Sequence, residues 1–325
     1  MTTNQKQPVS FESLVTDEKI KEWFDQGLRE GEDFFDRLSR LNQANDRKII
    51  DVLNGVVESM KLPYGYPPVR FCWLVMGSGG RGEQVYRTDQ DNALIFDHHK
   101  NPGLQRDVER YFQVFSEKAN QGLAEVGFDL CPGEVMAQNP FWRGTPEFWR
   151  HRMDTWVTSP TGQNVRNLTI FLDFRELYGS LDMGRQLRKE WMDAIRRMPL
   201  FLTFLARDAW TGSLGSPEKN DTVNIKTELL VHLVDSIRVF AIKNQCSETN
   251  TGRRIDFLEM ESVISRDFAQ ELRDTLIQLL HWRMLAHNDL LPSKVLMTNR
   301  NEWQKTMDTL ALLRTITREE FFPNL

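Results

Sequence analysis

Nine residues, EQVYRTDQD (83–91), separate the last glycine of a G-x-G-x-x-G loop from the apolar run NALIF (92–96). That length decides most of what the stretch can become. The loop follows the apolar run FCWLVM (71–76), so Gly77, Gly79 and Gly82 stand where a strand turns into a helix. Two parallel strands need a crossover of at least about 10–12 residues, built on a helix with an apolar face. Val85 and Tyr86 are the only apolar residues available here, and they make no face of period 3.6. The spacing therefore argues against a dinucleotide-binding unit, although Asp97 lies twenty residues past Gly77. A P-loop fails as well, because Glu83 and Gln84 follow Gly82 where Lys and Ser or Thr are needed.

A different chemistry uses the polar residues of the stretch. Gly77 lets the backbone turn, and Ser78 brings a hydroxyl and an N–H to the start of a short helix, a setting that suits a triphosphate. Arg81 adds a forked contact to phosphate oxygens. Glu83 orients Arg81, joins a metal shell, or forms a plain surface salt bridge. Asp89 and Asp91 are one residue apart, and positions i and i+2 of a strand share a face. Two neighbouring carboxylates do not both ionise cheaply without a cation, and Mg²⁺ binds through one or two carboxylates plus substrate phosphates. The bland alternative makes Asp89 a turn residue and Asp91 a strand-end cap.

Around this stretch the periodicity predicts helices over 11–61, with Thr16 as N-cap, and a punctuated connector, KLPYGYPPVR, at 61–70. A helix is expected over 104–127 with Val108, Phe112, Phe115, Ala119 and Leu123 on one face. FDLCPGEVMAQ (128–138) reads as a strand bent at Pro132–Gly133. The aromatic run 140–159 reads as core rather than as a base-stacking platform. Helices are expected over 163–178, 183–208, 223–245, 266–286 and 301–314. The boundaries implied are an N-terminal helical segment (1–61), a small α/β unit (62–180) and a helical domain (181–325).

Composition bounds the partners. The 325 residues are 40% hydrophobic and 27% charged, enough for a sizeable core, and the net charge of -5 provides no basic field for nucleic acid. The three cysteines form no C-x-x-C pair. No apolar run reaches the ~18 residues of a membrane span, and the N-terminus shows no apolar leader, so a cytoplasmic protein without membrane contact is expected.

The segment GSGGRGEQVYRTDQDNALIFD, through Gly77, Ser78, Gly80, Arg81, Glu83, Gln84 and residues 88–94, resembles the DUF294 family. These are nucleotidyltransferases of the superfamily related to DNA polymerase β, akin to bacterial PII-uridylyltransferase and glutamine-synthetase adenylyltransferase. GFDLCPGEVMAQNPFWRGTPEFW and LTIFLDFRELYGS look like the family's continuation. NIKTELLVHLVDSIRVFAI resembles the start of its helical substrate-binding region. The resemblance implies an α+β fold: a small nucleotidyltransferase-type mixed sheet with helices, preceded by N-terminal helices and followed by an all-α domain. It also implies transfer of an NMP moiety from an NTP to a protein or small-molecule acceptor, with Asp89 and Asp91 holding Mg²⁺ or Mn²⁺. Gly77, Ser78, Gly79, Arg81 and Glu83 would bind the nucleotide. A third catalytic carboxylate is expected from Asp129, Glu134 or Asp173, with Glu134 preferred because it lies on the third strand-like segment. Lys226 and Asp235 match positions that could line the acceptor site, or they form an ion pair. The alternative is a catalytically silent nucleotide-binding regulatory module.

Overall fold

The computed structural model describes residues 17–86 and 89–323, so Thr16 and Thr88 lie outside the described residues. Two helices lead, α1 (Asp17–Arg29) and α2 (Phe34–Tyr64). The Asp33 carboxylate caps α2 by accepting the Asp36 N–H at 3.0 Å. The helix runs past its expected stop at 61 and ends at Gly65, where φ is +80°. Pro63 forfeits only one backbone bond in the final turn, and the glycine stops the helix.

The sheet has four strands, β1 (Phe71–Val75), β2 (Asn92–Phe96), β3 (Arg143–Gly144) and β4 (Arg175–Gly179), in the order β3-β2-β1-β4. β1 runs antiparallel to both neighbours, and β2 is parallel to β3, so the sheet is mixed. The antiparallel pairing of β1 with β2, from Phe71↔Phe96 to Val75↔Asn92, is what a nine-residue connection permits. Only the single turn α3 (Gly77–Arg81) fits beside it.

Alternation along β1 feeds two cores. Phe71, Trp73 and Val75 face α2 and α4 (Gln105–Glu125), where the expected Val108, Phe112, Phe115, Ala119 and Leu123 are all buried. Cys72, Leu74 and Met76 face a larger core that runs from Phe24 to Leu313. Into that core α5 (Pro146–Thr158) and α6 (Gly162–Phe171) deliver their aromatic rings. Trp142, Trp149 and Trp156 are buried, and Trp149 stacks on Phe171 with centroids 4.7 Å apart. The aromatic run is core, as expected.

Three expected elements differ in kind or extent, and the helix expected over 223–245 opens as a strand and a π-helical turn. The segment 128–138 is not a strand: the Glu134 N–H turns back to the Cys131 carbonyl at 2.9 Å, and Glu134 has φ +54°. Pro132 and Gly133 make a turn there instead of a bend, although Asp129 and Val135 still accept the N–H groups of Gln90 and Asn92. The helix expected over 163–178 stops at Phe171, and RELYG becomes β4. Its half-buried side chains carry no apolar alternation, and its place comes from pairing with β1. The expected helix 183–208 breaks at Pro199 into α7 (Leu181–Arg197) and α8 (Phe201–Thr211).

The remainder is helical apart from a two-stranded ribbon, β5 (Thr222–Asn224) with β6 (Leu290–Pro292). A π-helical turn, Lys226–Leu230, leads into α9 (Val231–Lys243). Then come α10 (Thr251–Met260), α11 (Arg266–Leu285), the short α12 (Ser293–Leu296) and α13 (Arg300–Phe321). Among the described residues no helix is long and apolar enough to cross a membrane.

Candidate active site

The site is built where β1 turns into α3. Gly77 takes φ +55°, and a Cβ there would stand 2.4 Å from Asp91 Oδ2. The glycine is required twice, for the left-handed turn and for the closeness of the carboxylate. No side chain caps α3, which leaves the N–H groups of its first turn open to an acceptor. With five residues, α3 carries little macrodipole, so an anion at Gly77, Ser78 and Gly79 would be held by individual N–H groups and the Ser78 hydroxyl.

Asp89 and Asp91 sit just before β2, and their convergence is enforced from behind. Gln90 donates to the carbonyls of Asn120 and Phe128, both at 2.9 Å. Asn92 Oδ1 accepts from Ala137 N–H at 2.8 Å and Asn120 Nδ2 at 3.0 Å. This buried amide network pins the alternate residues inward, so the two carboxylates emerge together on the other face. Oxygens of Asp89 and Asp91 and the sulfur of Cys131 lie within 4.8 Å of one another, the one such group of three potential ligands among the described residues. Donors this close need only small side-chain shifts to reach the roughly 2.0–2.3 Å of a metal–ligand bond, so the residues present suit a divalent ion.

Burial and the charge of Asp89 raise the Asp91 carboxyl to about 6. The Cys131 thiol and the charges of Lys226 and Arg81 oppose that rise. Lys226, exposed on the π-helical turn, thus brings a positive charge from the helical region toward the pair.

The other expected residues fall differently. Glu134 is exposed on its turn and outside the ligand group, as is Asp129. Asp173 is fully buried among three guanidiniums: Arg81 at 2.8 Å, Arg238 at 2.5 Å and Arg254 at 2.8 Å. These hold its carboxyl far below the ordinary carboxylate range despite burial, and they occupy both oxygens. Arg81 is committed to Asp173 and to Glu83, at 2.7 Å. Its fork therefore fastens the glycine turn rather than extending toward phosphate. Glu83 is itself buried, accepting also from Thr251 N–H at 2.5 Å, so it is neither a surface salt bridge nor a member of the ligand group. Asp235 pairs with Arg238, the ion-pair alternative for that residue. From α10's start, Thr249 and Asn250 donate to the carbonyls of Gly80 and Arg81 at 3.0 and 2.9 Å.

Two hollows flank the turn. A pocket of about 20 Å³ is lined by Asp46, Trp73, Gly79, Gln84, Asp89 and Asp91, room for a single water-sized species. A cleft of about 620 Å³ lies on the other side, between α2, Gly80–Gly82 and the 247–256 segment. Asp46 borders both, held by Arg175 at 2.8 and 2.9 Å. Residue spacing alone did not reveal Cys131, Asp46 or the arginine cluster. For Cys131 the one available signal was its seat beside a Pro-Gly turn next to the acidic strand.

A strand, a glycine turn and paired carboxylates entering the antiparallel next strand are the arrangement that the sequence resemblance implied. Residues 17–163 match the family model described as "Putative nucleotidyltransferase DUF294", and residues 185–299 match "Putative nucleotidyltransferase substrate binding domain". The chain belongs to the DUF294 family. No curated protein matches it.

Proposed function

We propose that the protein is a divalent-cation-dependent nucleotidyltransferase that moves an NMP group from an NTP to an acceptor oxygen. In this reaction the acceptor oxygen bonds to the α-phosphorus, the bond to the β-phosphate oxygen breaks, and pyrophosphate leaves with the electron pair. The observation that carries the reading is the convergence of Asp89 and Asp91 against Gly77, where a Cβ would meet Asp91 Oδ2 at 2.4 Å. Asp89 and Asp91 would hold Mg²⁺ or Mn²⁺, which supplies charge neutralisation for the triphosphate and the attacking oxygen. Ser78 and the N–H groups of Gly77–Gly79 bind phosphate oxygens. Arg81 and Glu83 keep that turn in place. Lys226 offers a cation beside the pair for an incoming acceptor or for the leaving pyrophosphate. The helices of 181–325 shape acceptor choice, with a protein or small molecule as acceptor, and a regulatory role in the cytoplasm fits such chemistry.

Incubation with labelled NTPs, Mg²⁺ or Mn²⁺ and a cell extract tests this. Label transfer is expected with the native chain and lost in the Asp89→Asn, Asp91→Asn double variant. Transfer that persists in that variant overturns the assignment. A second reading has its own support: no third carboxylate joins the ligand group among the described residues. Nucleotide binding without transfer to any acceptor would make the chain a nucleotide-binding regulatory module.

A further inference from the structure

The third donor of the group is sulfur, where a dedicated magnesium site would present oxygen. Cys131 is 8% exposed, its sulfur lies beside the Asp91 carboxylate, and the backbone of Gly133 packs against it, so that a Cβ there would stand 3.7 Å from the sulfur. Its own N–H donates to Met136 Sδ at 3.4 Å, and its carbonyl accepts the Glu134 N–H at 2.9 Å. The sulfur is thus fixed from the backbone and directed at the carboxylate pair. An independent observation comes from Trp73, which is fully buried and lines the small pocket with Asp89 and Asp91. Its indole N–H has no hydrogen-bond partner, so a buried donor is left over in a residue that walls the hollow shared by the two carboxylates.

Resting on the metal-dependent reading above, we propose that Cys131 is the third metal ligand and that it shifts the site's preference from Mg²⁺ toward thiophilic divalent ions. Hard oxygen donors suit Mg²⁺, whereas thiolate favours the later first-row ions, Zn²⁺ and, outside that row, Cd²⁺. On binding, the S–H bond breaks, its proton goes to solvent and the sulfur lone pair bonds to the ion, releasing one proton for each ion bound. A divalent charge beside the sulfur favours the thiolate over the thiol. Cys72 and Cys246 are buried elsewhere and do not join the group.

The test titrates the full chain, stripped by chelator, with Cd²⁺ alone and with Mg²⁺ alone, following ultraviolet sulfur-to-cadmium absorption and equilibrium affinity. The native chain is expected to show the sulfur band. Cys131→Ser is expected to lose it, with Cd²⁺ affinity falling by about tenfold or more and Mg²⁺ affinity nearly unchanged. A folded Cys131→Asp chain is expected to bind Mg²⁺ at least as well as the native one while losing its Cd²⁺ preference. It decides the matter if the serine variant does not fold. A band that survives in Cys131→Ser, or an unchanged Cd²⁺ affinity, overturns the proposal. The Asp89→Asn, Asp91→Asn chain separates the two levels. If it loses Mg²⁺ while Cys131→Ser changes nothing, only the sulfur proposal fails. If it binds both ions as the native chain does, the metal-dependent reading fails too.

Discussion

At Gly77 one missing Cβ decides whether the carboxylate pair can form. Gly77→Ala would place a methyl group 2.4 Å from Asp91 Oδ2 on a backbone with φ +55°. A left-handed non-glycine residue costs roughly 1–2 kcal/mol, and the carboxylate must move as well. We expect divalent affinity to fall by about tenfold or more with the helical circular-dichroism spectrum retained. Mn²⁺ titration checks this, and native affinity in the alanine variant would refute the role given to the glycine. Asp91 titrates in the opposite sense to a salt-bridged carboxylate. Because its folded-state value is raised to about 6, its contribution to the metal-free fold is fully present below the ordinary carboxylate range and lost as pH rises through about 6. Asp91→Asn should therefore stabilise the metal-free chain at pH 7.5, by at most about 3 kcal/mol, and remove the stabilisation that added Mn²⁺ gives the native chain. Thermal melts with and without Mn²⁺ provide the comparison. For the same reason, divalent binding to the native chain should weaken as pH falls through about 6.

Among the elements, α3 is too short to hold itself, and its position is borrowed. Gly80 packs so closely that a Cβ would stand 2.0 Å from the Asp173 carbonyl. The Asp173 carboxylate, in turn, gathers Arg81 from α3, Arg238 from α9 and Arg254 from α10. Three guanidiniums balance against Asp173, Glu83 and Asp235, so the cluster is neutral only while Asp173 is charged. Asp173→Asn leaves buried positive charge uncompensated, and a loss of about 3–5 kcal/mol is expected, readable as a lower urea midpoint. If the midpoint does not move, the cluster is not what fixes α3. Asp173, one of the three carboxylates considered from the sequence, is thereby a structural anchor: three cations compete for its two oxygens, and none is left for an ion.

For the whole molecule, the larger core runs across the positions 61/62 and 180/181 at which the pattern of elements suggested boundaries. Phe24, Phe34 and Leu38 from the leading helices, Leu74 and Met76 from the sheet, and Leu230 to Leu313 from the helical region form one continuous cluster. A fragment spanning 62–180 would expose the sheet face carrying Cys72, Leu74 and Met76, along with the aromatic side of α5 and α6. We expect such a fragment to aggregate or to give a poorly dispersed NMR spectrum, and the full chain to unfold in a single cooperative calorimetric transition. A well-dispersed spectrum from the fragment would instead establish 62–180 as an autonomous domain.

What depends on neighbours along the chain was legible before any fold was known. The length of EQVYRTDQD made β1 and β2 antiparallel, the glycine spacing made the turn, and the one-residue separation of Asp89 and Asp91 let both point to one side once Gln90 and Asn92 were held on the other. Those outcomes follow from covalent reach and backbone geometry, which act over a few residues. Tertiary structure decided the rest. It made RELYG a strand by offering it the free edge of β1, committed Arg81 and Glu83 to a buried charge cluster, left Glu134 in solvent, and brought the Cys131 sulfur to the carboxylates. Each of these depends on which distant group arrives to satisfy a charge, a donor or an apolar face, and no local spacing encodes that partner.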